Sequence, residues 1–149
     1  MVNDQAVTIL LVEDDEIDAE AILRAFKKHQ ISNPVTIARD GIEALDYLRG
    51  EDGLSAIARP YLILLDLNMP RMNGFEFLAE LRADPTIADS IVFILTTSDL
   101  HEDKLAAYEH QVAGYTVKSR LGDSFVELAT LVKAFEQIIE FPPPHLQHA

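Results

Sequence analysis

Four apolar stretches of this chain end on side chains that can do polar chemistry. Val7–Val12 runs into Glu13, Asp14 and Asp15, and Leu62–Leu67 carries Asp66 near its end. Ile91–Thr96 closes on Thr96, with Thr97 behind it, and Tyr115–Lys118 closes on Lys118. If these stretches are parallel strands, their carboxyl ends share one edge of a sheet, where open α/β sheets bind ligands. Three carboxylates, Glu13, Asp14 and Asp66, then meet a hydroxyl and an ammonium. Carboxylates held that close repel one another, and their pKa values rise unless something compensates. A hard divalent cation removes the conflict. Mg²⁺ suits the set, because it takes a few carboxylate oxygens plus waters and leaves room for a phosphate oxygen. Lys118 supplies a second positive charge. A phosphoryl group arriving at Asp66 would meet a metal, an ammonium and a hydroxyl, the groups that phosphoryl transfer uses for positioning and charge neutralisation.

Each member also has a plainer explanation. Glu13, Asp14 and Asp15 could be the acidic cap of a following helix. Asp66 could form an Asx turn into Asn68-Met69-Pro70. Thr96 and Thr97 could be strand formers that cap the next segment, and Lys118 an ordinary surface lysine. The combination, on four separate strands, is what favours a site.

The elements that must position these groups follow from periodicity. Five β-branched or apolar runs are expected as strands: the four above and Val35–Ala38. Between them lie helical stripes, Ala21-Ile22-Ala25-Phe26, Ile42-Leu45-Leu48 and Phe77-Leu78-Leu81, with a weaker pattern through Leu105 and Ala106. Asp40 with Glu43, and Ser124 with Glu127, read as capping boxes at helix starts. Strands that are continuously apolar are covered on both faces, as in parallel sheets. Strict alternation of strand and helix predicts a doubly wound α/β sheet with helices on both faces. Arg49–Pro60 is a long connection, expected to hold an extra helical turn. Residues 1–141 are expected to form one domain and 142–149 an extended tail begun by Pro142–Pro144.

Composition narrows the function classes. The 149 residues suit one domain with a real core, and 48% hydrophobic content argues against disorder. With no cysteine, disulfides and thiolate chemistry are excluded. No apolar run approaches the ~20 residues that span a bilayer, and MVNDQ does not resemble a signal peptide, so a soluble cytoplasmic protein is expected. A net charge of −13 opposes binding to nucleic acid or an anionic membrane.

At these residues the chain resembles the receiver domain of bacterial two-component response regulators. The matching segments are ILLVEDDEIDA (Ile9–Ala19), LILLDLNMPRMNGFEFL (Leu62–Leu78), ILTTSD (Ile94–Asp99) and GYTVKS (Gly114–Ser119), within about residues 5–140. The resemblance implies a flavodoxin-like receiver fold with a five-stranded parallel sheet in the order 2-1-3-4-5. It implies Asp66 as phospho-acceptor, and Glu13, Asp14, Asp66 and the Asn68 carbonyl as Mg²⁺ ligands. It implies Thr96 as the switch hydroxyl, Lys118 as the partner of the phosphate oxygens and Tyr115 as the mobile aromatic. Met69-Pro70 and Gly74 would shape the loop after the acceptor. The partner is then a sensor histidine kinase, and the chain a switch in a phosphorelay that assists its own phosphorylation and dephosphorylation without being a conventional enzyme.

Two departures matter. Ser119 stands where the family often has proline, so a cis peptide there is less expected, at ~3 kcal/mol for a non-proline bond. The acidic pair is Glu-Asp rather than Asp-Asp. The KSR triplet, the long connection and the C-terminal extension resemble the small receivers that partner cyanobacterial and bacterial phytochromes. With no output domain in view, output by protein contact is expected. In the last helix Phe125, Leu128, Val132, Phe135 and Ile139 form one face, with Leu131 and Ile138 beside it. That arc either serves the core alone or also forms a homodimer seam, extended by Phe141. Rival readings are a degenerate receiver used only as a binding module, a flavodoxin-like electron carrier and a haloacid-class phosphatase. Glu13-Asp14-Asp15 would repel an FMN phosphate, and the phosphatase's DxD motif after the first strand is absent.

Overall fold

The computed structural model describes residues 7–54, 56–121 and 125–143. Five strands, β1 (Thr8–Val12), β2 (Val35–Ala38), β3 (Tyr61–Leu65), β4 (Ile91–Thr96) and β5 (Gly114–Val117), form one sheet in the order β2-β1-β3-β4-β5. All four pairings are parallel. Five helices alternate with them: α1 (Glu16–Lys28), α2 (Gly41–Arg49), α3 (Gly74–Ala83), α4 (His101–Glu109) and α5 (Val126–Ile138). This is the doubly wound arrangement that the alternation of runs predicts.

The pleat sorts the core into two layers. Leu10, Val12, Ile63, Leu65, Val92 and Ile94 pack under α2, α3 and α4, against Leu45, Leu48, Phe77, Leu78 and Leu81. Ile9, Leu11, Leu62, Leu64, Phe93 and Leu95 pack under α1 and α5, against Ile22, Phe26, Leu128 and Val132. β1 and β3 are buried along their whole length because they have helices on both faces and strands on both sides. The edge strands β2 and β5 are only half-buried.

Several expectations shift in detail. The connection after α2 contains no helical turn among the described residues. Gly50 takes φ 69°, and Asp52 and Gly53 also have positive φ, so helical propagation stops there. Asp40 caps α2, its carboxylate accepting from the Glu43 amide at 2.9 Å, but its second oxygen accepts from Arg71 Nε at 2.6 Å. The reciprocal capping box instead forms at Asn73 and Glu76, which open α3. The Ser124 box lies outside the described residues, as do residues 144–149 of the tail. The cis peptide is Arg59–Pro60, and Lys118–Ser119 is trans. No described helix is long and apolar enough to cross a membrane.

Candidate functional site

The sheet itself brings the two buried acids together. Its ladder continues one residue past the strand ends: the Glu13 amide donates to the Ala38 carbonyl at 2.9 Å, and the Asp66 amide donates to the Val12 carbonyl at 3.0 Å. Glu13 and Asp66 therefore leave neighbouring strands at the same height, and both are buried. Asp14 follows Glu13 and is exposed. Carboxylate oxygens of Glu13, Asp14 and Asp66 lie within 4.8 Å of one another.

Asp15 has a different task. Its carboxylate accepts from the amides of Ile17 at 2.9 Å and Asp18 at 3.1 Å, capping α1. The helix-cap explanation thus accounts for Asp15 and leaves Glu13 and Asp14 for the cluster. The Asx-turn explanation of Asp66 also holds, because the Asn68 amide donates to Asp66 Oδ1 at 3.3 Å. Gly74 is needed where it stands: a Cβ there would lie 2.6 Å from the Asp66 carbonyl oxygen and 2.7 Å from Leu67 Cα. The loop after Asp66 is also tied down by Arg71, whose bond to Asp40 anchors it to the α2 cap.

Lys118 begins a short 3₁₀ turn, Lys118–Arg120, at the end of β5, and it is not a surface lysine. Its ammonium donates to Glu13 Oε1 at 2.5 Å and Asp18 Oδ2 at 2.7 Å, and reaches Asp66 Oδ2 at 3.4 Å. Burial works against its charge, but the bonds to Asp18 and Glu13 outweigh it and push its pKa upward. For Glu13 burial is instead the larger effect. Burial pushes its carboxyl up to about 7, with a further push from Asp66 and an opposing pull from Lys118.

Thr96 is fully buried, whereas its neighbour Thr97 is exposed. Thr96 Oγ1 accepts from the Ser98 amide at 3.5 Å, and the Tyr115 hydroxyl donates to the Ser98 carbonyl at 2.9 Å. Ser98 also donates through Oγ to Asp103 Oδ2 at 2.5 Å. One loop residue thus joins the strand-end hydroxyl, the aromatic and the first turn of α4.

The structure therefore brings Glu13, Asp14, Asp66 and Lys118 together at one edge of the sheet, with Thr96 and Tyr115 linked through Ser98. Asn68 is exposed beside it. Asp18 and Ser98 were not among the sequence candidates. An acid in the first turn of a helix usually serves the helix dipole, so Asp18 carried no separate signal.

The family model of the response regulator receiver domain matches residues 9–130. This chain belongs to the response-regulator receiver family. The receiver is 40% identical over 112 residues to the response regulator Rcp1 of Synechocystis sp., a match covering 75% of this chain and 76% of Rcp1. Its structure is similar to that of the phosphorylated cyanobacterial phytochrome response regulator RcpA, with a TM-score of 0.83, 34% identity, and coverage of 93% of this chain and 100% of that one. It is also similar to the Mn(2+)-bound form of Rcp1, with a TM-score of 0.80, 34% identity, and coverage of 92% and 99%. The acidic trio of the receiver suits a hard divalent cation: two of its acids are buried with one ammonium between them, and the third opens to solvent.

Proposed function

We propose that this receiver takes a phosphoryl group on Asp66 from the phosphohistidine of a sensor kinase, and that the modification changes its contacts with other proteins. The observation that carries the reading is the convergence on Asp66. This carboxylate lies within ion-pair distance of Lys118 and within 4.8 Å of Glu13 and Asp14. An Asp66 oxygen attacks the phosphorus, a P–O bond forms as the P–N bond of the phosphohistidine breaks, and the imidazole leaves. The product is an acyl phosphate. Lys118 offers its ammonium to the added phosphate oxygens, and Thr96 offers its hydroxyl. Glu13, Asp14, Asp66 and the Asn68 carbonyl would hold Mg²⁺, which supplies neutralisation of the phosphate charge. Residues 1–141 act as the receiver unit and 142–149 as its tail.

Thr96 and Tyr115 report the change outward. When the Thr96 hydroxyl turns to the phosphoryl group, its contact with the Ser98 amide is lost, and Ser98 also holds Tyr115. The surface beyond that loop carries exposed apolar side chains: Leu100, Leu105 and Tyr108 are all more than half exposed. The similarity to phytochrome response regulators supports a phytochrome-type kinase as the cytoplasmic partner. The exposed Leu131, Ile138 and Ile139 are what supports a homodimer through α5.

The test is incubation with acetyl phosphate and Mg²⁺ followed by intact-mass measurement. Wild type should gain ~80 Da, and Asp66→Asn should gain nothing. An equal adduct on both proteins would refute the assignment, and no adduct on either would favour a receiver that acts only as a binding module.

A further inference from the structure

We infer that Asp18 is a positioning residue for Lys118, a role that rests on Asp66 being the acceptor. An ammonium has three N–H donors and no more. In this receiver three carboxylates lie within its reach, and the order of distance is informative: Glu13 at 2.5 Å, Asp18 at 2.7 Å and Asp66 at 3.4 Å. Asp18 is the one partner of the lysine that is neither the acceptor nor a member of the Glu13-Asp14-Asp66 cluster. Its carboxylate is left with the lysine as its hydrogen-bond partner among the described residues.

The local structure makes Asp18 a firm anchor. It sits in the first turn of α1, where the helix dipole favours an anion. Its amide is bound by the capping carboxylate of Asp15 at 3.1 Å, so the turn that carries it is fixed to the end of β1. Lys118 comes from the far end of the sequence with a flexible four-carbon stem. The pair therefore links α1 to the end of β5 across the mouth of the site. A lysine tied on that side keeps its Nζ near Asp66 without collapsing onto it, and one donor stays only weakly committed at 3.4 Å. That donor is free to meet a phosphate oxygen with little rearrangement, which is the preorganisation that electrostatic catalysis requires.

A positioning role differs from a general charge effect. Asp18→Asn keeps an oxygen that can accept from Lys118 but removes the charge. Asp18→Glu keeps both, and Asp18→Ala removes both. Glu16→Ala removes an acid from the same helical turn that bonds Arg39 instead of the lysine. With acetyl phosphate and Mg²⁺, Asp18→Ala should lower the maximal rate of phosphorylation about tenfold and leave the half-saturating acetyl phosphate concentration within about twofold, as removal of an orienting partner does. Asp18→Asn and Asp18→Glu should keep at least about half of the wild-type rate, and Glu16→Ala all of it. Without metal or donor, the Lys118 ammonium protons, assigned by their loss in Lys118→Ala, should be visible by nitrogen-15 NMR in wild type and Asp18→Glu. They should be broadened by exchange in Asp18→Ala.

The role is overturned if Asp18→Ala phosphorylates like wild type while Asp66→Asn takes no adduct, in which case the acceptor stands and only the anchor fails. Equal losses in Asp18→Ala and Asp18→Asn would show a charge effect and overturn it too. So would an unchanged ammonium signal in Asp18→Ala whose thermal unfolding matches wild type. An adduct on Asp66→Asn would remove the acceptor reading itself.

Discussion

Burial and the neighbouring Asp66 push the Glu13 carboxyl up to about 7, while Lys118 pulls it down. Its ordinary value is 4.5, so the native fold binds a proton that the unfolded chain has already released between pH 4.5 and about 7. Stability contributed by this group is therefore present below pH 4.5 and is lost as pH rises through 7. The full rise corresponds to roughly 3 kcal/mol. Without metal, the receiver should melt at a higher temperature at pH 5.5 than at pH 8, and Glu13→Gln should flatten that dependence and raise the melting temperature at pH 8. In wild type, Mg²⁺ should bind more tightly as pH rises from 6 to 8, because the ligand must lose its proton first. Calorimetry at each pH checks both. A Glu13→Gln protein with an unchanged pH slope would contradict the account. Glu13, Asp66 and Lys118 were legible in the sequence because each breaks an apolar run at its end. Asp18 was not, because it lies 100 residues from its partner Lys118 and sits where helix acids are ordinary.

Among the elements, α3 is tied to the sheet by one side chain that no pattern announced. Arg82 donates through Nε to the His110 carbonyl at 2.7 Å and through Nη1 to those of Ala88 and Ser90, each at 2.7 Å. Its Nη2 donates to the Gln111 carbonyl at 2.9 Å. These carbonyls belong to the loop before β4 and the loop after α4, so the planar guanidinium closes two loops at the amino end of the sheet, away from the acids. Lysine has no fork and cannot satisfy both loops. Arg82→Lys should cost about 2 kcal/mol, and Arg82→Ala more, read as a lower urea midpoint with little change in slope. A lysine variant within about 0.5 kcal/mol of wild type would show that water replaces the fork. The strands were readable to within two residues because β1 and β3 are buried on both faces; the run Leu62–Leu67 overshoots β3, which ends at Leu65. α4 was faint because it buries little: Ala107 is its one buried residue, while Leu105 and Tyr108 are more than half exposed. The long connection misled because its stop signal is backbone geometry. Asp52 at φ 53° looks like any other turn aspartate in the sequence.

Over the whole molecule, a charge of −13 and an exposed apolar surface oppose each other. The last helix shows where the surface lies. Leu128, Ala129 and Val132 are buried against the sheet, but Leu131, Ile138 and Ile139 are 37%, 77% and 40% exposed. Phe141 does not extend that exposed stripe. It folds back edge-on to Phe135 at 5.6 Å, and Phe135 meets Phe93 edge-on at 5.2 Å, which closes the end of α5 onto the core. A homodimer would then use the stripe on α5, joined by Leu105 and Tyr108 of α4 and Leu100 just before it, and it would bring two strongly acidic copies together. Apolar burial is nearly indifferent to moderate salt, whereas repulsion between like-charged copies is screened within ~10 Å at 0.1 M. Self-association of this kind should strengthen as salt rises from 20 to 300 mM, the opposite of an interface held by ion pairs. Ile138→Glu should abolish it without lowering the melting temperature, since that side chain is already in solvent. Light scattering across a dilution series, with and without acetyl phosphate, measures it. A monomer at high micromolar concentration in both states, at every salt concentration, would sink the dimer and leave this surface to a different protein.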